Sequence, residues 1–292
     1  MTHKAGFVNI LGNPNVGKST LMNKLVGERI SIITSKSQTT RHRIMGIVSG
    51  DDFQIVYSDT PGIIKPQYKL QETMMKFISV ALSDADVILY VTDIVEKLDK
   101  NEEYIERVRN SGVPVLLLLN KIDLSTQEEV VALIERWKVL LPDAEIIPIS
   151  AKRGFQVGVI FDRILELLPE GPAFYPKDEL TDKSERFFVS EIIREKILML
   201  YKEEVPYSVQ IEVESFKESK DIIHIDVIIY VIRESQKGIL IGQQGSMLKR
   251  VGTQARLDME EFFDKKIFLQ MRVKVKKDWR DNESDIKKFG YE

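Results

Sequence analysis

Up to about residue 168, short apolar runs alternate with amphipathic stretches. The runs are FVNILG (7–12), FQIVYSD (53–59), DVILYVTD (86–93), VPVLLLLNKID (113–123) and EIIPIS (145–150). Strands alternating with helices predict a parallel sheet covered on both faces. FQVGVIFDRILELL (155–168) has apolar positions at helical spacing and stops before Pro169. The pattern then lapses. PEGPAFYPKDELTD (169–182) holds three prolines and no periodicity, so it reads as a linker. That divides the chain into 1–170, a linker at 171–182, and 183–292.

The second part has a different order. SERFFVSEIIREKILMLYKEE (184–204) is helical, and SVQIEVESF (208–216) and IIHIDVIIYVI (222–232) are strand-like. The run GILI (238–241), strand-like taken alone, leads into a glycine-rich loop, GQQG (242–245). A helix from about Ser246 to Phe263 and the strand IFLQMRVKVKK (267–277) follow. The order helix, strand, strand, helix, loop, helix, strand predicts a small α+β domain.

Composition narrows the class. The chain has 292 residues, 43% of them apolar, and no cysteine, which excludes disulfides and thiolate metal sites and fits a reducing cytosol. Its start carries no signal-peptide pattern, and no apolar run approaches the ~20 residues of a membrane helix. A net charge of −3 argues against general polyanion binding, but the average hides a local excess. From Arg233 to Arg280 there are twelve basic and six acidic residues, and none of the acids lies between Ser235 and Leu257. Charge runs are commonly solvated faces. This one contains GQQG together with Lys237, Lys249, Arg250 and Arg256.

The sharpest motif is GNPNVGKST: Gly12, Asn13, Pro14, Asn15, Val16, Gly17, Lys18, Ser19 and Thr20. It fits G-x-x-x-x-G-K-S, directly after a strand-like run and opening a helical one, as a phosphate loop requires. Glycines let backbone N–H groups converge on phosphate oxygens at a helix N-terminus. Lys18 would neutralise β- and γ-phosphates, and Ser19 would ligate Mg²⁺. Three further motifs follow in order. DTPG (Asp59, Thr60, Pro61, Gly62) supplies a carboxylate for the Mg²⁺ shell and an N–H for a γ-phosphate. NKID places Asn120, Lys121 and Asp123 after the most apolar strand, and Asp123 can accept both N–H groups of a guanine edge. SAK (Ser150, Ala151, Lys152) can back the base through backbone N–H. Between the first two lies SKSQTTRHR (35–43), a polar segment suited to movement, one of whose threonines could join Mg²⁺ when a γ-phosphate is present.

Together these elements resemble the translation-factor-like GTPases over about residues 5–168. The resemblance implies GTP/GDP with Mg²⁺, Thr40 as the threonine ligand with Thr39 as the alternative, and Lys18, Thr40 and Gly62 as the catalytic set. It implies switch segments at about 33–43 and 59–77. Ile63 stands where Ras-like members place a water-orienting glutamine, so intrinsic turnover should be slow. In GTPases with an apolar residue there, an asparagine of the phosphate loop can hold K⁺, and Asn15 is at the matching position. Shaping the loop alone is the other reading of Asn15.

Three readings of G-x-x-G compete: a plain turn, a second nucleotide loop, or an RNA clamp. No G-K-S follows it, which weighs against the second. The element order and basic surroundings are similar to those of a type II KH domain, which binds single-stranded RNA. That resemblance implies backbone contacts at Gly238, Gly242, Gln243, Gln244 and Gly245, a groove floor from Ile239 and Ile241, and phosphate contacts from Lys237, Lys249, Arg250 and Arg256. The expected fold class is therefore α/β: a P-loop GTPase domain with a mostly parallel sheet, followed by a smaller α+β type II KH domain. With NVGKSTLMNKL, SQTTRHRI, EEVPYSV and the closing KFGYE, nearly the whole chain resembles the Era family of bacterial ribosome-assembly GTPases. The resemblance implies binding to the 3′-end region of 16S rRNA, 30S subunit maturation, a cytoplasmic monomer, and peripheral contact with the inner face of the membrane. No stretch of the sequence itself requires a lipid. A nucleotide-gated scaffold whose C-terminal domain binds a protein is the alternative, which salt-insensitive partner binding would favour.

Overall fold

The computed structural model describes residues 3–95 and 101–291. The chain forms two compact units, Met1–Pro66 with Met74–Asp182, and Gln67–Thr73 with Lys183–Glu292.

The first unit is a six-stranded sheet in the order β2-β3-β1-β4-β5-β6. Its strands are β1 (Lys4–Gly12), β2 (Ile44–Ser49), β3 (Phe53–Asp59), β4 (Val87–Asp93), β5 (Val115–Asn120) and β6 (Glu145–Pro148). All neighbours are parallel except β2, which runs antiparallel to β3 at the edge. Every residue of β4 is buried, the pattern of a strand covered on both faces. The helices are α1 (Lys18–Val26), α2 (Lys69–Ser83), α3 (Glu102–Arg109), α4 (Gln127–Leu140) and α5 (Val157–Leu167). A parallel sheet puts the C-terminal ends of its strands on one edge, where ligands bind in such folds. The motifs GNPNVGKST, DTPG, NKID and SAK all sit there, after β1, β3, β5 and β6. Strand β2 has no counterpart among the apolar runs read above, since IMGIVS is short, interrupted by glycine and preceded by a polar segment.

Residues 171–182 are not a free tether. Buried Gln54 on β3 holds them: its Oε1 accepts from the backbone N–H groups of Phe174 (2.7 Å) and Tyr175 (3.0 Å), and its Nε2 donates to the Tyr175 carbonyl (2.8 Å). Thr181 then bridges antiparallel to Gly46, with the Ile47 N–H on the Leu180 carbonyl (2.9 Å). The segment thus covers the open edge of β2, a common protection for edge strands. Prolines erase periodicity without preventing this, because the pairing partner is a strand edge rather than an apolar face.

The second unit has a three-stranded sheet, β7-β8-β9. It contains α6 (Glu185–Leu200), the single turn α7 (Val205–Ser208), β7 (Gln210–Glu218), β8 (Ile222–Val231), α8 (Glu234–Ile241), α9 (Ser246–Phe263), β9 (Lys266–Val275) and the short α10 (Glu283–Lys288). β7 and β8 are antiparallel, while β8 and β9 are parallel, so a crossover must join them. The crossover is α8, the GQQG loop and α9. GILI is accordingly the end of a helix, not a strand. The tail is anchored: fully buried Trp279 donates to the Ser208 carbonyl (3.0 Å), and Tyr291 donates to Gln210 Oε1 (2.9 Å). Among the described residues no helix is long and apolar enough to cross a membrane.

Replacing Gln54 with leucine leaves three backbone groups of the covering segment without partners. The expected loss is ~1–3 kcal/mol of stability, with faster tryptic cleavage at Lys177. Melting curves and limited proteolysis check this; unchanged values for both would contradict the clamp.

Candidate functional site

The phosphate loop is shaped by its glycines and held by Asn120. Gly17 lies at φ +104°, and a Cβ there would sit 2.2 Å from the Asn120 amide nitrogen. That amide donates to the Val16 carbonyl (2.7 Å), while its oxygen accepts from the Ala151 N–H (2.9 Å). One side chain thus spans GNPNVGKST, NKID and SAK. Lys18 is buried and donates to the carbonyls of Gly12 (3.0 Å) and Asn13 (2.7 Å), which fixes its ammonium inside the loop. Lys121 reaches back to the Asn15 carbonyl (2.7 Å) and pairs with Asp93 (2.5 Å).

The loop and the base-selecting motifs line one cavity of about 720 Å³. At one end, Asp123 accepts from the Ser150 hydroxyl (2.7 Å). This hydrogen bond, together with the nearby Arg153 and Lys152, holds the Asp123 carboxyl below the usual carboxylate range. It is therefore ionised at neutral pH and able to accept two N–H groups. Lys152, Pro14, Asn15, Thr20 and Gly62 also line the cavity. Gly12, Asn13, Val16, Asp59, Thr60 and Pro61 are not part of its lining: Asn13, Val16 and Asp59 are buried, and Thr60 donates to the Ile10 carbonyl (2.7 Å).

At the other end three oxygens converge. Ser19 Oγ lies 2.9 Å from Thr40 Oγ1, and both hydroxyls donate to Asp59 Oδ2, at 2.7 and 3.1 Å. Thr39 also lines the cavity, but its hydroxyl donates to the Lys36 carbonyl (2.6 Å). Asp59 Oδ1 is buried and has no hydrogen-bond partner among the described residues. An all-oxygen set with a spare carboxylate oxygen suits a hard divalent cation such as Mg²⁺. Burial pushes the Asp59 carboxyl up, against the opposing pull of Lys18 and the hydroxyls of Ser19, Ser31 and Thr40. Ile63 is buried, its N–H on the Gly12 carbonyl (3.2 Å), so it brings no polar group to the cavity.

The second unit has its own groove, about 390 Å³, between α9 and β9. Gly245, Lys249, Thr253 and Arg256 form one wall and Leu269 and Met271 the other, with Leu248 and Gly252 also lining it. Gly242 sits at φ +72° with a would-be Cβ 2.8 Å from Met247, so a side chain there is excluded. Gln243 and Gln244 are exposed at the loop tip. The floor expected from GILI is absent from this groove. Leu240 is core, Ile239 is about half exposed, and Lys237, Gly238, Ile241 and Arg250 do not line the cavity. The floor comes instead from alternate residues of β9, whose other face is solvated. Arg256 is partly engaged, donating to Glu260 (2.8 Å).

A family model described as the 50S ribosome-binding GTPase matches residues 7–121, and a KH domain model matches residues 204–280. A solved structure of Era with MgGDPNP and nucleotides 1506–1542 of 16S ribosomal RNA is 37% identical, with a TM-score of 0.94, over 99% of each chain. The chain belongs to the Era family. A point variant of Aquifex aeolicus Era bound to GDP and AlF₄⁻ is 38% identical over 99% of each chain, again with a TM-score of 0.94.

In this Era-family chain, several supporting residues escaped the motif reading. Asn101, which precedes α3, donates to the Asn13 side chain, and Asp93 orients Lys121. Neither belongs to a spaced motif. Asp93, at the end of the apolar run DVILYVTD, was the more visible, since a carboxylate there faces the ligand edge.

The Asp59 environment has a measurable sign. With its folded value raised, the nucleotide-free protein loses stability as pH rises from the ordinary carboxylate value through the raised one. A bound cation reverses that preference. Asp59→Asn should therefore raise the melting temperature of the nucleotide-free protein at pH 7 and remove the Mg²⁺-dependent part of nucleotide stabilisation. Thermal scans with and without Mg²⁺ test both; a lowered apo melting temperature would refute the buried-charge account.

Proposed function

We propose that this chain is a GTP-hydrolysing, rRNA-binding switch that assists maturation of the 30S subunit. One observation carries the reading. A guanine-selecting carboxylate and the two hydroxyls of a Mg²⁺-type oxygen cluster line one cavity, in a chain that matches Era over 99% of its length.

GTP binds with its base against Asp123, Ser150 and Ala151 and its phosphates in the loop from Gly12 to Thr20. Lys18 neutralises charge on the β- and γ-phosphates. Mg²⁺, held by Ser19, Thr40 and Asp59, supplies the remaining charge neutralisation. Gly62 offers its N–H to the γ-phosphate. Ile63 cannot orient water, so hydrolysis is slow without a further group. Asn15, exposed at the loop and lining the cavity, is suited to hold K⁺ there.

The groove between α9 and β9 takes single-stranded RNA, for which the 3′-end region of 16S rRNA is the proposed target. Gly242 and Gly245 let the RNA backbone approach, Lys249 and Arg256 meet phosphates, and Leu269 and Met271 lie under unstacked bases. Electrostatic contact to the strand makes binding salt-dependent. A cytoplasmic monomer with peripheral membrane contact completes the proposal.

Three measurements test it. Turnover in KCl should exceed that in NaCl, and equal rates would remove K⁺ from the account. Gly242→Asp with Gly245→Asp should abolish binding to a 16S 3′-end oligonucleotide and leave GDP affinity intact. Lys249→Ala should lower the slope of log affinity against log salt by about 0.7. Undiminished RNA affinity in the double variant would overturn the placement of the groove.

A further inference from the structure

The polar segment at 33–43 was expected to be mobile, yet its last residues are buried: Thr40, Arg41 and Arg43 are 6%, 0% and 8% exposed. Arg43 immediately precedes β2 and lies three residues after Thr40. Its guanidinium makes four hydrogen bonds to three different parts of the first unit. Nε donates to Ser58 Oγ on β3 (2.6 Å). Nη1 donates to Asp84 Oδ2 (2.6 Å), and Nη2 to Asp84 Oδ1 (3.0 Å), just past the end of α2. Nη2 also donates to Asn9 Oδ1 on β1 (3.1 Å). Asn9 closes the network by donating to Asp84 Oδ1 (2.8 Å) and to the Ala81 carbonyl (2.5 Å).

Asn9 and Ser58 are fully buried. Ser58 directly precedes Asp59, and successive strand residues face opposite ways. The guanidinium therefore grips β3 from the side opposite the Asp59 carboxylate. The two residues between Thr40 and Arg43 leave little slack, since a chain spans at most ~3.6 Å per residue. Fixing Arg43 on Ser58 thereby fixes how far Thr40 can stand from Asp59. A forked donor is required, because one ammonium cannot bond Ser58, Asn9 and both oxygens of Asp84 together.

We propose that Arg43 is a positioning residue: by clamping the downstream end of this segment to β3, β1 and the end of α2, it sets Thr40 on the Asp59 cluster and so favours the triphosphate-bound state. The proposal rests on the GTPase reading above. A threonine at this position is needed only when a γ-phosphate is present, whereas Ser19, Lys18 and Asp123 serve both nucleotides. Loosening the clamp must therefore discriminate between GTP and GDP.

The test compares Arg43→Lys, which keeps the charge but loses the fork, with Ser58→Ala, which removes only the Nε acceptor. Affinities are measured for Mg·GDP and for a non-hydrolysable Mg·GTP analogue, with a Mg²⁺ titration of each complex. Both variants should hold GDP within about twofold of the unsubstituted chain, lose ~10-fold or more for the analogue, and need correspondingly more Mg²⁺ for it, as expected when a group that orients a metal ligand is disturbed. Parallel losses for both nucleotides, or no loss for either, would overturn the proposal. Should Arg43→Lys not fold, Ser58→Ala decides alone by the same comparison. An unsubstituted chain that binds neither nucleotide would instead refute the GTPase reading, and this proposal with it.

Discussion

The amide of Asn120 holds the nucleotide cavity in shape. Three loops must keep a fixed separation although each leaves a different strand, and none is bonded to the others along the chain. Asn120 donates to the first and accepts from the third while belonging to the second. It is 3% exposed, so both hydrogen bonds are shielded from water. Losing one would leave a buried polar group unpaired, which costs more than the bond itself contributes. The same amide is why Gly17 tolerates no side chain, so steric and hydrogen-bond constraints meet at one atom.

The cavity also holds an electrostatic tension. Asp59 is a buried carboxylate among the hydroxyls of Ser19, Ser31 and Thr40, with Lys18 nearby and donating to carbonyls. Burial and charge oppose each other there, and a divalent cation resolves the conflict. Such stored cost is common where a site must bind an ion rather than merely stay folded. Asp123 is the contrast: exposed, hydrogen-bonded and comfortably ionised. The two carboxylates have opposite environments: burial raises the first, and a hydroxyl hydrogen bond lowers the second.

Much of this was legible in the sequence because phosphate and guanine chemistry demand fixed residues at fixed spacing. Lys18, Ser19, Asp59, Asn120 and Asp123 followed from their motifs and element order. The choice between Thr39 and Thr40 did not, since adjacent threonines are identical to a spacing argument; the resemblance favoured Thr40, whose hydroxyl is the one that donates to Asp59. β2 was hidden because IMGIVS is short, interrupted by glycine and preceded by a polar segment. GILI proved to be the end of a helix, and the apolar residues lining the described groove come from β9, which offers them at every second position. Arg43 read as part of a solvated polar segment, and only tertiary packing reveals it as buried.

The cover on β2 also constrains how the chain comes into being. β2 and β3 can form a hairpin as soon as they are made, but the strand that shields β2 comes from residues 180–182. Roughly 135 residues separate them, which at ~5–20 residues per second amounts to on the order of ten seconds of synthesis. Throughout that interval a nascent sheet edge stands open, able to pair with any extended segment nearby. Completion of the first unit is thus timed by the arrival of its last dozen residues, just ahead of α6.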